Sequence, residues 1–360
     1  MTKGFMKTRL AAGAIGMLAI LAMAPSALAS TATVLNANTV RVLESGNEVN
    51  KISVSYDAGT DLYTVVDSAA NLTPSGTCLA VDAHTATCPG AGIKTISVDT
   101  DDMADAIAMD LNTIPSTVLG NLDGGSGNDA VSGHGTLTGG SGNDGIVGSS
   151  LADNARGGSG RDQIDPGDGP DDIFGGSSTD AVGYPANRAT PVNVTVGSGN
   201  FNDGGIEDQG SNGRRDTVHG DVEVVIGTQQ ADLIAGDSSS ETLIGGVGND
   251  VLDGNRGNDT LLGLEGDDIL VGDEGSDLLR GWTGADRLFG GRGNDRVSGG
   301  PDGDFVVGNS GHDILKGKSG IDFLRAKDGT RDFRIKCGPG NNRAEGATRD
   351  KRLDPRAKSC

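Results

Sequence analysis

The nonapeptide GGVGNDVLD stands at residues 245–253, and variants of it follow one another without a gap from Gly227 to Arg325. All eleven units of this stretch begin with glycine, ten have aspartate at the sixth place, and the eighth place is always aliphatic. Glu241 is the exception at the sixth place. A fixed short period is typical of solenoids, in which each repeat packs against its neighbours, so this stretch decides the fold.

The glycines and the aliphatic residue of the unit predict its local structure. Glycine accepts positive φ and close backbone contact, so three glycines within six residues indicate a tight turn. The last three residues, such as those at 251–253, form a short strand whose middle side chain points inward. Two units then make one coil, and successive coils stack about 4.8 Å apart. We therefore predict an all-β fold, a parallel β-solenoid with a short strand-rich segment before it.

Stacking places the sixth-place carboxylates in two rows, one along each edge of the solenoid. Assigning the units alternately gives one row of Asp232, Asp250, Asp268, Asp286, Asp304 and Asp322, and a second row of Glu241, Asp259, Asp277, Asp295 and Asp313. Carboxylates about 5 Å apart repel each other and require a cation to neutralise them. Calcium fits better than magnesium, because it accepts about six to eight oxygen ligands in flexible geometry. We therefore predict that several calcium ions bind to carboxylates and turn carbonyls.

The candidate calcium ligands come from units that keep the motif. The aspartates are Asp129, Asp144, Asp162, Asp171, Asp250, Asp259, Asp268, Asp277, Asp286, Asp295, Asp304, Asp313 and Asp322. The glycines are Gly246, Gly248, Gly257, Gly266, Gly275, Gly284 and Gly293. The units at 227–235 and 236–244 lack the inner glycine, so we expect strong sites to begin near Asp250. Because the aliphatic core is thin and the carboxylates repel, we expect the metal-free repeats to be largely unfolded.

The other segments are arranged around the repeats. We divide the chain into a signal peptide (1–29), an N-terminal β-rich segment (30–123), a first repeat block (124–183), a strand-containing interruption (184–226), a second block (227–325) and a basic C-terminal cap (326–360). The first block includes a six-residue unit, GHGTLT at 133–138, which shortens one turn by three residues. Residues 101–111 fit either a helix or a solenoid coil with a degenerate motif. The aspartate-x-aliphatic ending at 105–107 favours the solenoid coil. After Arg325 the period stops.

Composition and charge exclude some classes of partner. Aromatic residues make up 3% of the chain, so a large conventional core is not expected. The formal net charge of −21 argues against nucleic acid, since phosphate binding requires a basic surface. The tail from 326 is the exception, with ten Lys or Arg against five Asp or Glu, and a polar end of this kind stops a solenoid from stacking on itself.

The N-terminus has the features of a secretory signal peptide. Lys3, Lys7 and Arg9 precede an apolar run from Leu10 to Met23, and small residues lead to a cleavage site after Ala29. The alternative is a membrane anchor, but the run is shorter than the ~20 residues that a spanning helix needs. We expect the mature protein to be secreted, extracellular and without a membrane span.

Four cysteines fit an oxidising location. Cys78 and Cys88 are close in sequence, and so are Cys337 and Cys360, so we predict the disulfides Cys78–Cys88 and Cys337–Cys360. Zinc binding by the first pair together with His84 is the alternative, but no CxxC spacing supports it.

The motif GGxGxDxUx, where U is aliphatic, closely resembles the RTX, or haemolysin-type, calcium-binding repeat family. The order of segments resembles members of this family that actinobacteria secrete. The resemblance covers about 160 residues in two blocks. It implies a parallel β-roll in which sixth-place aspartates and turn-glycine carbonyls bind calcium.

No enzyme motif accompanies the repeats. The sequence contains neither HExxH nor GxSxG, and its four histidines are scattered singly. We therefore expect no catalytic activity. Two functions remain: a secreted calcium-binding structural or interaction module, or a calcium-dependent adhesin whose basic tail holds an anionic cell-surface polymer. A hydrolase within residues 30–120 is a third alternative, without a recognisable nucleophile.

Overall fold

The computed structural model describes residues 30–35, 38–44, 48–197, 204–205, 216–326 and 334–346. Every regular element in these ranges is a β-strand, which confirms the all-β prediction. None of the described residues forms a helix that could cross a membrane. The predicted signal peptide at 1–29 lies outside the described residues.

The strands of the described residues form three sheets, whose members follow in spatial order. The first sheet consists of Thr217–Val218, Asp172–Ser177, Asn154–Ser159, Gly135–Ser141, Leu119–Asp123, Thr95–Asp99, Thr39–Leu43, Ser30–Leu35 and Leu72–Pro74. The second sheet consists of Arg334–Lys336, Ile314–Ser319, Arg296–Pro301, Leu278–Thr283, Thr260–Glu265, Thr242–Val247, Val224–Ile226, Ala181–Gly183, Gln163–Gly167, Gly145–Ser149, Ala130–Ser132, Ala106–Met109, Lys51–Asp57, Leu62–Asp67, Thr85–Pro89 and Leu79–Ala80. The third sheet consists of Gly204–Gly205, Val192–Thr195, Leu233–Ala235, Val251–Asp253, Ile269–Glu274, Arg287–Arg292, Phe305–Ser310, Phe323–Ala326 and Arg343–Gly346.

The repeats wind into a parallel β-solenoid with two walls. The second sheet continues through both repeat blocks, while the first and third sheets form the opposite wall in turn. Within the second block Leu252 pairs with Leu270 and Leu270 with Leu288, an offset of eighteen residues, so two nonapeptides make one coil as predicted. The interruption divides the opposite wall: Thr217–Val218 ends the first sheet, and Val192–Thr195 pairs with Leu233–Ala235 in the third.

The core is a narrow aliphatic stripe between the walls. All eleven eighth-place residues of the second block are buried, with at most 1% of their surface exposed. Their strand neighbours are partly or fully exposed except Val307, as at Ile269 and Val271 on either side of Leu270. This alternation confirms the predicted inward direction. Most strands are longer than predicted, because ladder pairing continues into the first three residues of the following unit, as in Ile269–Glu274.

The N-terminal segment shares its sheets with the repeats. Thr39–Leu43 pairs in parallel with Thr95–Asp99, which in turn pairs with Leu119–Asp123. Ala106–Met109 pairs with Ala130–Ser132, which confirms a solenoid coil rather than a helix at 101–111. A hairpin of Lys51–Asp57 and Leu62–Asp67 lies beyond it.

The disulfide Cys78–Cys88 is present, as predicted. Cys337 is buried. Its predicted partner, Cys360, lies outside the described residues, so the second disulfide stays a prediction.

Coils continue beyond Arg325, although the regular period is broken there as predicted: Leu324 pairs with Ala344 at an offset of 20 residues instead of eighteen. Arg334–Lys336 adds to the second sheet, and Arg343–Gly346 adds to the third. Residues 337–345, CGPGNNRAE, are one further nonapeptide in which cysteine replaces the first glycine and asparagine the sixth-place aspartate. Those two substitutions hid the unit in the sequence.

A truncation in the aliphatic stripe is expected to be strongly destabilising. Leu270→Ala removes a fully buried side chain that close packing surrounds, so the free energy of unfolding in calcium should fall by about 2–5 kcal/mol. Ile269→Ala, on the outward neighbour in the same strand, should cost about 1 kcal/mol or less. Urea unfolding of both variants in calcium measures the difference. Equal losses would contradict the assignment of Leu270 to a closely packed core.

Candidate metal centre

The sixth-place carboxylates form two continuous rows within the solenoid edges. In the first row the Asp250 backbone N–H donates to Asp268 Oδ1 at 2.8 Å, and the Asp268 N–H donates to Asp286 Oδ1 at 3.0 Å. In the second row the Asp259 N–H donates to Asp277 Oδ1 at 2.9 Å. These bonds confirm the alternate assignment of units to two edges. One oxygen of each aspartate therefore fastens its own coil to the preceding one.

The second oxygen of these carboxylates is buried among polar backbone. Oδ2 has almost no exposed surface and no hydrogen-bond partner in the following aspartates: Asp105, Asp129, Asp144, Asp162, Asp180, Asp250, Asp259, Asp268, Asp277, Asp286, Asp295, Asp304 and Asp322. A buried carboxylate oxygen without a donor or a cation is strongly unfavourable. Each such turn therefore calls for a positively charged group at Oδ2.

The glycines at the first and fourth places of the nonapeptide make room for the buried carboxylate and the stacked carbonyls. A Cβ added at Gly245 would overlap the Oδ2 of Asp250 in the same turn. At Gly275 the backbone has a φ of +158°, and an added Cβ would overlap the carbonyl oxygen of Gly257 in the preceding coil. Only glycine leaves space for both the carboxylate and the stacked carbonyls. The turn thus brings carboxylate and carbonyl oxygens together.

Burial makes these carboxylates resist ionisation. It raises the pKa of Asp250 and Asp268 to about 6, and that of Asp259 and Asp304 to about 7. The backbone N–H bond to Oδ1 offsets part of the rise, and the neighbouring carboxylates add to it. The pKa of Glu241 is raised further, to about 8, by burial and by Asp259. A bound cation would reverse the effect, because it favours the ionised form.

Among the described residues, two turns satisfy the second oxygen of the aspartate with a Ser or Thr of the same unit rather than with a cation. In the unit 227–235, the Thr228 backbone N–H and hydroxyl both donate to Asp232 Oδ2. In the unit 148–156, the Ser149 N–H and hydroxyl donate to Asp153 Oδ2 in the same way. A hydroxyl at the second place of the unit therefore replaces the cation. The Asp232 turn, in the first unit of the second block, thus has donors at both carboxylate oxygens.

Asn342 shows what the turn requires at this position. Its Oδ1 accepts the Asp322 N–H, as an aspartate would, and its Nδ2 occupies the place of Oδ2. Nδ2 donates to the carbonyl oxygens of Cys337 at 3.0 Å and Gly338 at 3.1 Å. In an aspartate unit the same carbonyls would face a second acceptor, Oδ2. While the aspartate is ionised, a cation between these oxygens converts that repulsion into attraction.

The oxygen-only donor set fits a hard divalent cation. Carboxylate Oδ2 and turn carbonyls are the ligands that calcium prefers. Among the described residues, no group of three or more His, Cys, Asp and Glu side chains comes together to hold a metal ion. Backbone carbonyls must therefore supply most of the ligands at each turn. The residues present fit calcium held between a carboxylate and glycine carbonyls.

Some carboxylates of the two rows were not among the calcium ligands predicted from the sequence. Asp105 and Asp180 have the same buried Oδ2 as the chosen aspartates. Asp216 and Glu223, in the interruption, accept the N–H groups of Asp171 and Asp180. An acidic residue two places before a buried aliphatic one marks all four, as at Asp216 and Val218, but they were not selected because their units have lost glycines of the motif.

Comparison with known protein families agrees with this geometry. The family model for the RTX calcium-binding nonapeptide repeat, four copies to the model, matches residues 147–182, 217–252, 226–261, 235–270, 262–297 and 289–324. No curated protein matches the chain significantly. The matched residues contain the two rows of buried carboxylates and most of the aliphatic stripe. Residues 147–182 and 217–324 thus belong to the RTX calcium-binding nonapeptide repeats, and in this chain they form a parallel β-roll.

Proposed function

We propose that this chain is a secreted, non-catalytic calcium-binding module whose repeats fold when they meet calcium outside the cell. The contrast between Asn342 and the aspartate turns carries the proposal. Where the sixth residue is an amide, the turn is complete without metal. Where it is aspartate with a buried free oxygen, the turn needs a cation.

Folding that depends on calcium would suit the proposed export. The basic, apolar and small-residue segments at 1–29 support secretion. A chain that stays unfolded until it meets a calcium-rich medium would cross a membrane easily and fold afterwards. Metal binding would then supply folding free energy, as it does in other small metal-dependent domains.

Substitution at a single turn tests the ligand assignment. Asp268→Asn should behave like Asn342, with its amide donating to the turn carbonyls, so fewer calcium ions bind per chain while the roll still folds. Asp232→Asn is the matched control in the same row. There Oδ2 already accepts two bonds from Thr228, so the calcium count should not change, and stability should fall by about 1–3 kcal/mol.

Calorimetric titration measures the count, and urea unfolding in calcium measures stability. An unchanged calcium count in Asp268→Asn, or an equal loss in both variants, would contradict the assignment of Oδ2 as a calcium ligand.

A second candidate function is a calcium-dependent adhesin for an anionic polymer. The cations concentrated near the C-terminal end of an acidic protein favour it. We infer that such a protein would hold the polymer in calcium and release it in chelator, because the binding surface exists only on the folded roll.

A further inference from the structure

An open groove of about 660 Å³ lies on the outer face of the second sheet. It crosses three neighbouring strands: Leu278–Thr283, Arg296–Pro301 and Ile314–Ser319. No acidic residue lines it, although the whole chain carries a net charge of −21. The groove is therefore an exception to the charge of the molecule.

Four cations line the groove without an ionic partner among the described residues. They are Arg280, Arg296, Lys316 and Lys318. The described ion pairs of arginine belong to others, namely Arg188, Arg256, Arg292 and Arg343. A neighbouring recess lined by Lys336 extends the basic surface by one coil. Cations left exposed and unpaired on successive coils attract an extended polyanion.

The only tryptophan of the chain stands in this groove. Trp282 is 49% exposed, and its backbone has a φ of +76° at the second place of the unit, where Gly246 and Gly300 stand in other units of the same wall. Leu264 and Lys318 have a similar positive φ at the same place, so this conformation belongs to the turn. Trp282 differs from them in placing a large, half-exposed indole in a groove that cations line.

Gly300 also lines the groove and adds no side chain to it. It packs against the Trp282 carbonyl oxygen, and its register partner in the next coil is Lys318. The groove thus presents a flat aromatic face, a gap and then a cation along the solenoid axis. Leu278 and Ile314 add apolar surface beside the cations.

We propose that this groove binds an acidic polysaccharide that lies along the solenoid axis. One sugar ring would stack its C–H face on Trp282, and carboxylate or sulfate groups would meet Arg296, Lys316 and Lys318. Single-stranded nucleic acid fits less well, because it uses several aromatic platforms for successive bases. A peptide that binds as an added strand would need an open strand edge, and these strands are paired on both sides.

The groove belongs to the folded roll, so this proposal rests on the calcium-dependent folding proposed above. Far-UV circular dichroism in calcium, recorded for every variant, separates a loss of binding from a loss of fold. The probe is a fluorescently labelled chondroitin sulfate hexasaccharide, and anisotropy reports its binding to the mature chain in calcium.

Three variants and two competing ligands make the test specific. Trp282→Gly gives this place the residue that Gly246 and Gly300 supply in other coils of the same wall, and Arg296→Ser with Lys316→Ser removes two groove cations. Arg287→Ser, at the same repeat position on the opposite wall, is the control. A further variant replaces the five cations of residues 347–360 with glutamine. Uncharged maltohexaose and a single-stranded oligothymidine of twelve nucleotides are the competitors.

We expect both groove variants to keep their β-structure and to weaken hexasaccharide binding about tenfold or more, since each removes a stacking or charge-assisted contact. The control and tail variants should bind within about twofold of the parent chain. Unchanged binding in the groove variants, a large loss in the tail variant, or equal competition by maltohexaose would overturn the proposal. Stronger binding of the oligothymidine with the same dependence on the groove would assign the site to nucleic acid instead.

Discussion

Most of the β-structure of the mature chain is expected to disappear when calcium is removed at neutral pH. Without the metal, the buried Oδ2 atoms along both edges face carbonyl oxygens and no cation. The unfolded chain can hydrate the same carboxylates, so these turns favour unfolding. Far-UV circular dichroism in chelator and in excess calcium measures the change, which should reverse when calcium is restored.

Magnesium is the control for this prediction. It keeps its waters and requires a stricter octahedral geometry, so it should restore much less β-structure than calcium at the same concentration. A spectrum that is the same in chelator and in calcium would contradict the dependence of the fold on metal. Full recovery in magnesium would contradict the selectivity for calcium.

Acidification is expected to have the opposite effect on the metal-free chain and to increase its β-structure. The folded-state pKa values of Asp250 and Asp259, about 6 and 7, exceed the ordinary value of 3.8. A group with a raised folded pKa favours the fold below its unfolded pKa and loses that contribution as the pH rises through the folded value. The gain should therefore develop between about pH 7 and pH 4, with protons replacing the metal.

Substitution separates this effect from a general loss of charge. Asp268→Asn with Asp286→Asn removes two buried carboxylates, whereas Asp273→Asn with Asp302→Asn removes two exposed ones for the same change in charge. At neutral pH without calcium, the double variant at the buried aspartates should have more β-structure than the double variant at the exposed ones. Circular dichroism against pH measures both. This prediction would be contradicted if the metal-free chain lost β-structure on acidification, or if the two double variants had equal effects. Either result would mean that ionised, buried turn carboxylates do not destabilise the metal-free fold.

The repeat architecture could be predicted from the sequence because its signals are local and periodic. An aliphatic residue at every ninth place indicated the inward stripe, and alternation of units indicated the two rows of carboxylates. Leu252, Leu270 and Leu288 pair in the register that the period required. Continuity of pattern also led correctly from the weak ending at 105–107 to a coil.

Other features depended on which atoms meet across coils, and a period cannot show this. The unit at 337–345 was missed, since Cys337 and Asn342 replace the two residues that define the motif. The period placed the carboxylates along the turns, but it did not show that they are buried and bind the backbone of the preceding coil through Oδ1. The role of the Ser149 and Thr228 hydroxyls, which donate to the second carboxylate oxygen in place of a metal, could be recognised only from their contacts.

Counting bound calcium and recording β-structure in the same samples tests the central claim most directly. Equilibrium dialysis of the mature chain against a series of free calcium concentrations gives the count, and far-UV circular dichroism of each sample gives the fold. We predict that several ions bind per chain and that binding and β-structure rise together over the same concentrations. A roll that is already folded before any calcium binds, or a chain that folds with no more than one ion, would contradict the claim that the buried turn carboxylates fold around calcium.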